Sequence, residues 1–106
     1  MDKVKKYRQI LKSVTEKHAK MYSPMQNVSS SAVCDFEKNN YFLIDFDSNE
    51  KKHYIVFHLR LENGKIFVLQ DGIEYGIKED LVEAGISPQE IILNFQGTFQ
   101  PELLVA

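Results

Sequence analysis

Apolar residues return every three or four positions through the first stretch of the chain. Val4, Tyr7, Leu11, Val14, His18 and Met21 fall on one side of a helix, and Ile10 widens the stripe. Asp2 stands ahead of it as an N-cap. The helix is expected to stop before Pro24, because the residue preceding a proline is pushed out of helical conformation. Residues 23–31, crowded with Ser, Asn and Pro, read as a loop.

The period then falls to two. Residues 31–37 place Ala32, Cys34 and Phe36 on one face. After a turn at Lys38-Asn39-Asn40, residues 41–47 place Phe42, Ile44 and Phe46 on one face and Leu43, Asp45 and Asp47 on the other. Residues 53–61 form the clearest strand, with Ile55, Phe57, Leu59 and Leu61 opposite Tyr54, His58 and Arg60. Asn63-Gly64 follows at once and predicts a tight hairpin, since both central positions of that turn need φ > 0. Residues 65–70 are the return strand, and Phe42, Phe57 and Phe67 are assigned to the core.

Beyond Asp71-Gly72 the helical period returns. Ile77, Leu81 and Val82 give a short amphipathic helix ending at Gly85. Ser87-Pro88-Gln89-Glu90 predicts a second helix start, with Ser87 as cap, Pro88 in the first turn and Glu90 closing a capping box. The apolar run from Ile91 to Phe95 fits helix or strand. Gly97 and Pro101 break the tail, whose Leu103 to Val105 can dock on the body. The expected fold is α+β in one domain, 1–106: an N-terminal helix, a four-stranded antiparallel meander, one or two short C-terminal helices and a docked tail.

Charge adds to this picture. Residues 1–22 carry seven basic and two acidic side chains, a net +5; with −2 overall, the remainder carries −7. A basic helix on an acidic body suits nucleic acid or an acidic partner, or simply the body's own acids. Lys5, Arg8 and Lys12 point outward and are the candidates for phosphate contacts. No helix-turn-helix, zinc finger or aromatic stacking motif supports base reading. The lone Cys34 excludes an internal disulfide and reads as a small buried hydrophobe. With no apolar run of about 18 residues and no secretory signal pattern, the expected location is cytoplasmic, away from membranes.

Catalytic patterns are thin. His53 and His58 stand five apart in one strand and are expected on opposite faces, and His18 sits at the edge of the helix stripe, so no metal site is expected. Asp45 and Asp47 ahead of Glu50-Lys51-Lys52 resemble the carboxylates and lysine of restriction-type nucleases, but that tripeptide belongs on a strand and here reads as a turn. There is no phosphate-binding glycine loop; Asp71, Gly72 and Gly76 read as a turn and helix entry. No cofactor is expected.

The run from Gly64 to Ile77, centred on Gln70-Asp71-Gly72-Ile73-Glu74-Tyr75-Gly76, resembles the XisI family of fdxN element excision controlling factors. The stretch Asp80 to Phe95, Tyr7-Arg8-Gln9-Ile10-Leu11 and the Val105-Ala106 ending continue the likeness along the whole chain. Phe67 stands where the family usually has Trp, Ile73 where it often has Thr, and the tail from Gln100 to Ala106 is shorter. The resemblance implies an accessory or controlling role in programmed excision of a DNA element in filamentous cyanobacteria. It implies action beside a nuclease-like partner, XisH, and supplies no catalytic residues. A homo-oligomer, direct DNA binding through Lys5, Arg8 and Lys12, and antitoxin-like inhibition of a nuclease partner remain open.

Overall fold

A computed structural model describes residues 2–21 and 27–93. The expectations for Pro24, Phe95 and the tail from Gly97 onward lie outside these residues. The order is α1 (Lys3–Met21), β1 (Val28–Asp35), β2 (Asn40–Asp47), β3 (Lys52–Glu62), β4 (Lys65–Asp71), α2 (Ile77–Glu83) and β5 (Ile91–Ile92). The strands form one sheet in sequence order. The first four pair antiparallel, and β5 adds in parallel beside β4, with Ile66 opposite Ile91.

The helix α1 forms as its pattern predicts. Asp2 Oδ1 accepts the Val4 N–H at 3.0 Å, and Tyr7, Leu11, Val14 and His18 are buried. Both helices lie on one face of the sheet. Leu11, Ile77 and Leu81 join Leu43, Phe57, Leu59, Leu61, Ile66 and Val68 in a single apolar cluster. α2 ends as a Schellman motif: the Ile86 N–H bonds Leu81 O and the Gly85 N–H bonds Val82 O, both at 3.0 Å. The β3–β4 turn has φ of 54° at Asn63 and 75° at Gly64, as a two-residue hairpin requires.

The two other hairpins share one device. Asp35 Oδ1 accepts the N–H groups of Glu37 and Lys38, and Asp47 Oδ1 accepts those of Asn49 and Glu50. Four residues after each aspartate a left-handed residue closes the turn, Asn39 at φ 60° and Lys51 at φ 56°.

Several expectations are corrected. β1 begins at Val28, inside the expected loop, and ends at Asp35, leaving Phe36 in the turn. The core face of β2 is that of Tyr41 and Leu43; Phe42 lies on the other face, stacked on His58 at 4.1 Å between ring centroids. Phe67 is buried, yet it pairs with Arg60 on that same outer face and stands outside the main cluster. In β3 the register slips: Leu43 faces Phe57 but Ile44 faces Ile55, so Val56 is an extra, bulged residue. The bulge turns Ile55 out of the core, leaving it 41% exposed. It also puts His53, opposite Phe46, and His58, opposite Phe42, on one face rather than two. Pro88–Glu90 makes only one 3-10 turn, with no side-chain cap bond from Ser87. Glu90 is drawn to Lys3 and Tyr7 instead of closing a capping box, and Ile91 buries at the sheet edge as the fifth strand.

Candidate functional site

The turn Asp71-Gly72-Ile73-Glu74-Tyr75-Gly76 links the end of β4 to the start of α2. Asp71 holds both ends of it. Its Oδ1 accepts the Ile73 N–H and its Oδ2 the Ile77 N–H, each at 3.0 Å. The carboxylate therefore caps α2 from six residues upstream, where the immediate N-cap, Gly76, has no side chain to do so. Gly72 N–H bonds the Val56 carbonyl at 2.6 Å, so the loop is pinned to the β3 bulge. A Cβ on Gly72 would meet that oxygen at 2.7 Å. Gly76 sits at φ 92°, where side chains are strained. All three sequence-predicted residues of this turn are thus brought together, and each has a structural task.

Behind the turn lies a constellation that the sequence did not reveal. His18 is 6% exposed. Its Nε2 lies 2.6 Å from Asp80 Oδ2, and its ring meets Phe57 edge-on at 5.8 Å. The Tyr75 hydroxyl donates to the same Asp80 oxygen at 2.7 Å. Burial works against the Asp80 charge, but the bonds from Tyr75 and His18 outweigh it and hold the carboxyl below its usual value. The same bond pushes the Tyr75 phenol up to about 12. α1, the turn and α2 are locked together here. Sixty-two positions separate His18 from Asp80, so no local spacing signals the pair. His18 also lines a cavity of about 490 Å³, together with Tyr75, Leu43, Asp45, Ser30 and Val56 among the described residues.

The carboxylates that resemble a nuclease set are each engaged locally. Asp45 accepts the Ser30 hydroxyl at 2.6 Å. Asp47 serves its turn and Asn27, and the turn N–H groups, Glu50's foremost, lower its pKa. Glu50 accepts the Tyr54 hydroxyl at 2.9 Å. Among the described residues no three His, Cys, Asp or Glu side chains are grouped to hold a metal ion. Cys34 is half-buried, and burial foremost raises its thiol pKa, which disfavours the reactive thiolate.

Lys5, Arg8 and Lys12 lie along one strip of α1, as their spacing requires. Arg8 donates to the Phe36 carbonyl at 3.0 Å and lies over its ring, 5.5 Å from the centroid. Lys12 stands 3.8 Å from Glu16 on the same helix. Lys5 is exposed.

The outer face of the sheet is apolar as well. Val33, Phe42, Ile44, Phe46 and Ile55 share it across β1 to β3. Val33 and Ile55 are 42% and 41% exposed. Both helices pack on the opposite face. At one border of the patch, burial foremost and the neighbouring Arg60 push His58 down to about 4, and its Nε2 meets Asn40 Oδ1 at 2.9 Å.

Comparison with known proteins adds a family. The XisI protein family matches residues 1–103. A crystal structure of a XisI-like protein from Anabaena variabilis ATCC 29413 superposes with a TM-score of 0.77 at 24% identity, over 89% of this chain and 88% of that one. That likeness shows the fold. A second structure, the fdxN element excision controlling factor XisI of the same organism, gives a TM-score of 0.72 at 26% identity, over 90% and 88%. No curated protein matches. Among the described residues, no helix is long and apolar enough to cross a membrane.

Proposed function

Because the chain belongs to the XisI family, we propose that it is a control subunit for excision of a DNA element and acts by binding a XisH-like protein, without catalysis of its own. The observation that carries this reading is the outer sheet face. Val33, Phe42, Ile44, Phe46 and Ile55 form an apolar surface opposite the helices, the kind of patch that marks a protein contact. Two further points support it. A structural relative at 26% identity is named a controlling factor. The carboxylates that a nuclease would need are each bound to a hydroxyl or a turn. Co-expression with a XisH-like protein, followed by size-exclusion chromatography, tests it. A shared peak supports the control-subunit reading, and separate peaks refute it.

Direct DNA binding is the second reading, favoured by the strip of Lys5, Arg8 and Lys12. It predicts affinity that falls steeply with salt and is lost on Lys5→Glu. Arg8 is engaged by Phe36 and Lys12 by Glu16, which leaves this strip with less cationic reach than the sequence suggests.

A further inference from the structure

One row of side chains on the outer sheet face is buried. Asn40, Arg60, Phe67 and Ile92 stand opposite one another across β2, β3, β4 and β5. Asn40 is 7% and Phe67 8% exposed. His58, two positions before Arg60 on the same face, is pushed down foremost by burial. Val33 and Ile55, toward β1 on that face, stay 42% and 41% exposed. Burial is thus concentrated on the β4 side.

The helices do not account for it. Both pack on the opposite face, and Phe67 stands outside the cluster they close. Asn40 has local partners in Asp35 and His58, but Phe67 is a large ring in the interior of the sheet. Its cross-strand neighbours Arg60 and Ile92 flank it and do not lie over it. The Arg60 guanidinium turns along its own strand to Glu62, at 3.0 Å.

The cover belongs to the same chain, since the structure is of one chain. Residues 22–26 join Met21 to Asn27, whose carbonyl accepts the Ser48 N–H just past the end of β2. That end is roughly 23 Å from Asn40. Met1 adjoins α1, on the helix side. Residues 94–106 start beside the row, because β5 ends at Ile92, opposite Phe67. Thirteen residues reach up to roughly 45 Å, and the step from β5 back to β2 is roughly 15 Å. Phe95, Phe99, Leu103, Leu104 and Val105 can cover a ring, and Glu102 is the segment's one charged side chain.

We propose that residues 94–106 fold back across the outer sheet face as a strap over Phe67, Arg60 and Asn40. The strap confines the open apolar face to Val33, Ile44, Phe46 and Ile55. On the partner reading above, on which this consequence alone rests, the partner meets the border of the strap as well as the sheet.

The test uses the full chain without any partner, so its failure is distinct from a failure of the partner reading. The chain has no Trp, and Phe67→Trp makes a single fluorescent reporter of the row. Blue-shifted emission and weak acrylamide quenching are expected. Adding Phe95→Glu and Phe99→Glu shifts the emission to the red and raises the quenching. NMR titration of His58 with Phe67 unaltered gives a second readout. His58 titrates near 4 in the parent and moves back toward 6.5 when Phe95 and Phe99 carry Glu. Val33→Glu, on the open half of the face, moves neither signal. Signals that the tail substitutions leave in place overturn the strap. So does a His58 that titrates near 6.5 in the parent, or a reporter that becomes exposed on dilution, which assigns the cover to a second copy's tail.

Discussion

At Gly72 an alanine Cβ would stand 2.7 Å from the Val56 carbonyl oxygen and 3.6 Å from Val56 Cγ1. The near atom is backbone. It already accepts the Gly72 N–H at 2.6 Å, and it belongs to the bulge that resets the register of β3. Neither partner can move without disturbing two strands. Gly72 does not have a positive φ, so restricting the unfolded chain favours the alanine by about 0.4–1 kcal/mol. Forcing a methyl into the close contact opposes it by about 1–3 kcal/mol. The expected net loss for Gly72→Ala is about 1–2 kcal/mol, seen as a fall in melting temperature of about 5–10 °C. Thermal denaturation by circular dichroism and urea titration at fixed pH measure both. A variant as stable as the parent, or more so, refutes the claim that the turn after β4 is fixed by backbone contact with the bulge. Gly76→Ala has room, its nearest neighbour being Asp71 Oδ2 at 3.9 Å, but its φ of 92° is unsuited to a side chain, and strain of about 1–3 kcal/mol is expected there.

Asp80→Ala is expected to lose about 1–3 kcal/mol, because it strands the buried His18 Nε2; Tyr75→Phe removes only an exposed donor and loses less, and urea melts rank the two. His58 is depressed in the fold from 6.5 to about 4. Between those values the unfolded chain binds the proton and the native chain does not, so this contribution is complete above pH 6.5 and is lost as pH falls toward 4. His58→Gln is therefore expected to shrink the drop in melting temperature between pH 7 and pH 5; an unchanged drop contradicts the assignment. The paired substitutions Val33→Glu and Ile55→Glu lie at exposed positions and are expected to change stability by less than about 0.5 kcal/mol each, while abolishing partner binding in a pull-down.

Local signals are decisive where one periodicity and one cap agree. α1 with Asp2, the Asn63-Gly64 hairpin and the end of α2 at Gly85 are such cases. Face assignment failed because β2 is apolar on both sides: Tyr41 and Leu43 on one, Phe42, Ile44 and Phe46 on the other. A period of two then cannot say which side meets the helices. In β3 the unbroken run Ile55-Val56-Phe57 was the available hint of a bulge, and it interrupts the alternation where Ile55 leaves the core. β5 spans two residues and is fixed by its neighbour β4, not by its own pattern. Glu90 matched a capping box, but the long-range partners Lys3 and Tyr7 took it. The Asp71 cap was legible as a turn, whereas the His18–Asp80 pair and the cavity beside it join segments that only the fold brings together.

The central claim is that the outer sheet face binds a protein partner. Size-exclusion chromatography with light scattering, on the chain co-expressed with a XisH-like protein, addresses it directly when wild type and the Val33→Glu, Ile55→Glu variant are run side by side. One complex peak for the wild type and two separate peaks for the folded variant are predicted. A variant that still co-elutes with the partner, or a wild type that never does, contradicts the account.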